Sequence, residues 1–176
     1  MKDSLRIALT LILLLAVSTA SLAYVDRFTS EVIAQRDAVR ETEDMVQFFP
    51  TVVSVESKEV GGVQFKAAFG EEGVFLGVLA EVRARGYIGD IPYVLAINSE
   101  GRILDISFGP NQETAGIGKK IEEEPFVARI IGLTPADPIE LGRDIDTITG
   151  ATESASGMAR SLRDVMDKFA VTFLDG

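Results

Sequence analysis

The chain has 176 residues, 47% of them hydrophobic, with 17 Lys and Arg against 27 Asp and Glu and a net charge of −10. An acidic chain of this kind is poorly suited to nucleic acid, since phosphate-backbone binding works by releasing counterions to Lys and Arg. It has no Cys and no His. This removes iron–sulfur clusters, the usual structural zinc sites, the common haem ligands and any Ser–His–Asp or Cys–His nucleophile. Redox chemistry in such a chain must come from an organic cofactor, and a covalent link to it must run through a hydroxyl or an amine.

Residues 1–6 form a short flank containing Lys2 and Arg6. Ile7 to Val25 follows as an apolar run broken only by Thr10, Ser18, Thr19 and Ser21. About 19 residues at about 1.5 Å each cross a hydrocarbon core of about 30 Å, so 7–25 reads as a single transmembrane anchor. A cleaved signal peptide is the competing reading, with Leu5 to Val17 as its apolar region and Ser21-Leu22-Ala23 as a small-x-small cleavage site. Both readings send the remainder out of the cytoplasm. A buried core helix is the third and weakest, because the run has no polar face. Lys2 and Arg6 are matched by Arg27, Arg36 and Arg40 beyond the run, so positive charge does not set its orientation.

Phe28, Val32, Ile33 and Val39 suggest a helix to about Val46, and residues 26–50 read as a helical stalk closed by Phe48-Phe49-Pro50. The remainder, 51–176, reads as one domain. Strands are expected at Val52–Glu59, Val63–Phe69, Val74–Ala84, Tyr93–Asn98 and Ile103–Phe108, the last two joined by a hairpin turn at Asn98-Ser99-Glu100-Gly101. Pro125 marks the first turn of a short helix through Ile131. The final helix carries Ala155, Met158, Ala159, Leu162, Val165, Met166 and Phe169 on one face, a stripe that reads as core. Strands followed by helices, with no repeat and no second domain, make the fold class α+β.

Asp146-Thr147-Ile148-Thr149-Gly150-Ala151-Thr152 stands directly before that helix. Its small residues allow a tight turn and the approach of a bulky group. The unpaired amides of the first helical turn suit a phosphate esterified to Thr152. On the local residues alone the favoured reading of Thr152 is an ordinary helix N-cap. Asp146 reads as a group that positions the Thr152 hydroxyl or a metal, or as a turn residue bonded to its own backbone.

Asp-x-x-Thr-Gly-Ala-Thr resembles the flavinylation motif of the FMN-binding domain family, in which the last Thr carries FMN through a phosphoester bond. Two further blocks agree in order and spacing. Gly86-Tyr87-Ile88-Gly89 is similar to the family's Gly-Tyr-x-Gly. Glu113-Thr114-Ala115-Gly116-Ile117-Gly118 is similar to its Glu-Thr-Pro-Gly-Leu-Gly, with Ala115 in place of Pro. That replacement frees one dihedral and restores an amide donor. The resemblance covers about Val74 to Phe169. It implies covalent FMN on Thr152, with Asp146, Thr149, Gly150 and Ala151 around the attachment. It also implies that the loop holding Glu113, Thr114, Gly116 and Gly118 closes over the flavin's phosphate or ring. Tyr87 is either a packed sheet residue or a flavin contact.

Within this family the layout of anchor, stalk and one compact domain is similar to the membrane-anchored subunits of Rnf-type ion-translocating electron-transport complexes. The resemblance implies an uncleaved, single-pass anchor in the inner or cell membrane, with the FMN-binding domain on the periplasmic side. It implies an electron carrier among other membrane subunits of a redox complex, matured by a flavin transferase that uses FAD and a divalent metal. Three alternatives stay open: the related subunit of a sodium-pumping NADH:quinone oxidoreductase, whose chain is longer; a stand-alone flavin module; and a non-redox interaction domain.

Overall fold

The computed structural model describes residues 45–175. The expected anchor at 7–25 and most of the stalk lie outside the described residues. Among the described residues no helix is long and apolar enough to cross a membrane. Residues 45–48 are helical, and the chain leaves the helix before Phe49 and turns at Pro50.

Five strands follow, β1 (Ser54–Val60), β2 (Val63–Phe69), β3 (Phe75–Arg85), β4 (Asp90–Asn98) and β5 (Ile103–Phe108). They form one antiparallel sheet in sequential order, each strand paired with the next. Five strands were expected; β2 and β5 have the expected bounds, and the ends of β1, β3 and β4 differ by up to three residues. The largest difference is at β4, which starts at Asp90 and takes in Pro92. That proline is tolerated because it pairs with Arg83 of β3, while the ladder to β5 begins only at Tyr93, so its missing N–H falls at the end of that ladder.

Alternation along the strands explains why the sheet is covered on both faces. Phe65 and Ala67, Val78 and Ala80, and Tyr93, Leu95 and Ile97 point into the larger core; Ala68, Leu79 and Ala96 point to the other side. The period-two pattern would put Ile103 and Ile106 on opposite faces. A register shift between Ala96 and Ile97 restores both to the larger core. On the smaller side Met45 and Phe49, residues the sequence assigned to the stalk, pack against Ala68, Leu79 and Ala96.

Two helices complete the larger core. α1 (Glu124–Ile130) has Pro125 in its first turn and buries Phe126 and Ile130. α2 (Thr152–Phe169) lies along β3 and buries Met158, Leu162, Val165, Met166 and Phe169. Each such side chain contributes about 1.5–3 kcal/mol on burial, so the helix is held by its apolar stripe more than by its propensity. Its close approach to the sheet requires glycine: a Cβ on Gly157 would lie 1.8 Å from the Arg85 carbonyl oxygen. Beyond Phe169 a π-helical turn, Ala170–Leu174, turns Phe173 onto the sheet. There it stacks on Phe75 at 5.3 Å between centroids and meets Phe65 edge-on at 5.6 Å. The architecture is the expected α+β class.

Candidate functional site

The three motif blocks meet at the N-terminal end of α2. The β3–β4 connection places Gly86 to Gly89 in a tight turn, closed by the Gly86 N–H donating to the Gly89 carbonyl at 2.8 Å. Beyond β5 the chain runs through Glu113 to a turn in which the Ile117 and Lys119 amides both donate to the Thr114 carbonyl at 3.1 Å. Gly116 in that turn has φ +74°, and Gly150 before α2 has φ +87°, values an L side chain adopts only with strain.

Glu113 joins these segments. Its side chain is buried, with 4% exposure. Oε2 accepts a hydrogen bond from the Ser154 hydroxyl at 2.6 Å, and Oε1 accepts one from the Ile88 N–H at 2.9 Å. Desolvation raises its pKa, but the bonds from Ser154 and from the Ile88, Gly89 and Tyr87 amides outweigh it. The carboxyl therefore sits below the ordinary carboxylate range. Two motif glycines make room for it. A Cβ on Gly86 would lie 2.5 Å from Oε1, and one on Gly118 would lie 2.3 Å from Oε2. The Glu-Thr-x-Gly-x-Gly loop is thus pinned from inside by its own first residue, and the glutamate side chain faces protein partners.

Thr152 is the first residue of α2 and its side chain is exposed. The N-cap position belongs to buried Ala151, and no side chain caps the helix. The ordinary reading of Thr152 as an N-cap is therefore not what the structure shows. Thr149 and Gly150 are exposed beside it. Asp146 is exposed and forms an ion pair with Arg129 of α1, Nε to Oδ2 at 2.9 Å, rather than a turn bond to its own backbone. A shallow cleft of about 350 Å³ runs from Lys120, Glu123 and Phe126 to Asp146 and Thr149. Thr114 is exposed at the rim of the pinned loop. Tyr87 is 75% exposed in the β3–β4 turn, so it is not a packed sheet residue.

Sequence reasoning missed Ser154 and Arg129. Ser154 lies 41 positions from Glu113. Its signal was a hydroxyl on the buried side of α2, next to Ala155 and one turn before Met158, where a polar group needs a partner.

Residues 86–167, the span that contains all three blocks, match the model of the FMN-binding domain family. The chain is 26% identical over 175 residues to the G subunit of the ion-translocating oxidoreductase complex of Shewanella piezotolerans, covering 86% of this chain and 82% of that one. It is 25% identical over 107 residues to the G subunit of the proton-translocating ferredoxin:NAD(+) oxidoreductase complex of Clostridium ljungdahlii, covering 57% of each. The match to the corresponding G subunit of Shewanella oneidensis reaches 31% identity but spans only 41% of that protein. Among solved structures, the NqrC protein of Shewanella oneidensis shares the fold, with a TM-score of 0.51 at 15% identity over 73% of this chain and 72% of that one. The chain thus resembles the FMN-binding domain family through residues 86–167, and over most of its length it is similar to the G subunits of ion-translocating oxidoreductase complexes.

Proposed function

We propose that this protein is an electron-carrying subunit of a membrane-bound, Rnf-type ion-translocating ferredoxin:NAD oxidoreductase complex, with FMN esterified to Thr152. The observation that carries the reading is the exposed Thr152 hydroxyl at an uncapped helix start, in the last position of the Asp-x-x-Thr-Gly-Ala-Thr motif. The residues present fit a phosphate ester. The first-turn amides have no side-chain cap, and Gly150 brings no Cβ against an incoming group. Thr149, Gly150 and Ala151 form the approach to the hydroxyl. Asp146, held by Arg129, supplies a carboxylate at its edge, where it would serve a divalent metal during attachment.

Bound FMN supplies the electron-transfer chemistry that a chain without Cys and His lacks. The protein's part is to hold and orient. Glu113 fixes the 86–89 turn and the 113–118 loop against α2, and Gly116 lets that loop turn with Thr114 at its rim. A covalent tether keeps the cofactor with a domain on the extracytoplasmic side, where free FMN is scarce. The apolar run 7–25 serves as the anchor, a flavin transferase installs the cofactor, and neighbouring membrane subunits carry the ion path.

Purification of the tagged full-length chain from native membranes tests this function. The expected result is several polytopic subunits in stoichiometric amount, with flavin fluorescence on the 19.0 kDa band under denaturing conditions. A fluorescent band that purifies alone would instead support a stand-alone flavin module.

A further inference from the structure

The two edge strands of the sheet differ in how they end. β5 is covered at its start: the Gly132 N–H donates to the Ile103 carbonyl and the Ile103 N–H to the Leu133 carbonyl, both at 2.9 Å. β1 has β2 on one side and, among the described residues, no strand on the other. Its 7 residues all pair with β2 without a register shift, and none is proline. Bulges and prolines are devices that spoil an edge for further pairing, so this edge keeps a regular row of main-chain groups. The Gly61-Gly62 turn, positive in φ at both residues, joins Val60 to its partner Val63. A two-residue turn of this kind closes on a hydrogen-bonded pair, so Val60, Lys58 and Glu56 bond to β2. The N–H and C=O groups of Val55, Ser57 and Glu59 therefore point outward. Among the described residues no turn or loop bond engages them.

Side-chain charge says what fits this edge. Glu56 and Lys58 are exposed and share the face toward α2, where the Lys58 ammonium stands 6.0 Å from the Phe173 ring centroid. A second β1 laid antiparallel and centred on Ser57 puts Glu56 opposite Lys58 of the second copy, and Lys58 opposite Glu56 of the second copy. Val55 then faces Glu59, so no like charges meet. Centring the pair on Glu56, Lys58 or Glu59 instead sets a charge against its own copy, which is destabilising. We propose that β1 pairs with β1 of a second copy of this chain about a twofold axis at Ser57, joining the two sheets into one. Such a contact is isologous and closes as a dimer. Val55, Ser57 and Glu59 supply its main-chain bonds, and the Glu56–Lys58 pairs set its register. The inference goes beyond the flavin reading and does not rest on it, since β1 carries none of the motif residues.

The chain has no Cys, so one introduced thiol reports one contact. The Cα atoms of a hydrogen-bonded antiparallel pair lie about 5.5 Å apart. That separation is within the range of about 4.4–6.8 Å that a disulfide spans. The full-length chain in its membranes is mildly oxidised as Ser57→Cys and, for comparison, as Ser99→Cys, an exposed position in the β4–β5 turn. The expected result is a disulfide-linked dimer from Ser57→Cys and none from Ser99→Cys. Adding Glu56→Lys or Lys58→Glu to Ser57→Cys should lower the dimer yield several-fold, because like charges then face each other. Adding both should restore it, which a mere loss of folding would not do. No dimer from Ser57→Cys, an adduct with a different protein in its place, an equal yield from Ser99→Cys, or a yield unmoved by the charge reversals would overturn the pairing.

Discussion

Two carboxylates from two motif loops meet opposite fates in this fold. Glu113 is buried, ionised and bonded to a hydroxyl and backbone amides of other segments. Asp146 is exposed and paired with a single exposed arginine. Both stand in short motifs beside glycine and threonine, and both read in the sequence as groups near a ligand. The structure separates them. Glu113 ties the 86–89 turn and its own loop to α2, and Asp146 pairs with Arg129 at the surface. A buried carboxylate is stable only when its lone pairs are satisfied, so it fixes whatever supplies the donors; an exposed one fixes little.

The largest effect that would sharpen this contrast is Glu113→Ala. It removes the acceptor for Ser154 and the turn amides and leaves a hole, which should cost about 2–4 kcal/mol. Denaturant titration measures this, and faster exchange of the Ile88 amide hydrogen should accompany it. A loss no greater than that of Asp146→Ala would break the comparison. Next is Gly157→Ala. The added methyl meets the Arg85 carbonyl at the end of β3, so α2 must move off the sheet and pull Ser154 from Glu113, at about 1–3 kcal/mol.

Acid should act through Glu113 as well. Its folded pKa lies below the ordinary value of 4.5, so the unfolded chain binds more protons between the two values. The stabilisation is complete above about 4.5 and is lost as pH falls through the folded value. Asp137, lowered by its bonds from the Thr134 hydroxyl and amide, adds a similar loss starting from 3.8. Thermal melts from pH 6 to 3 should show a shallower decline in Glu113→Gln than in the wild type; equal slopes would contradict the assignment. The smallest effect belongs to Asp146→Asn, whose exposed ion pair contributes about 0–1 kcal/mol. Its stability should be nearly unchanged while flavin attachment slows, as measured by the rate of in-gel fluorescence gain.

Much of the fold was legible because local patterns carried it. Strand-like stretches between turn residues marked the five strands, and the three- and four-residue stripe from Ala155 to Phe169 marked α2. The register shift at Ala96–Ile97 and the inclusion of Pro92 were not legible, since both depend on which neighbour a strand residue faces. At the site, the motifs marked the loops, but Glu113 read as a group over the ligand because its partner Ser154 is 41 residues away. Thr152 read, from its local residues alone, foremost as a cap. The distinction between N-cap and first helical residue is a single position, set by the backbone of Ala151 at φ −121° and ψ 24°.

The central claim is that Thr152 carries the flavin. The most direct measurement is intact mass with in-gel flavin fluorescence under denaturing conditions, on wild type and Thr152→Ala, each co-expressed with a flavin transferase. The Thr152 side chain is exposed and caps nothing, so the variant should fold as the wild type does. The predicted result is a fluorescent wild-type band with an FMN-sized mass increment, both absent from the variant. Flavin retained by Thr152→Ala, or absent from the wild type, would contradict it.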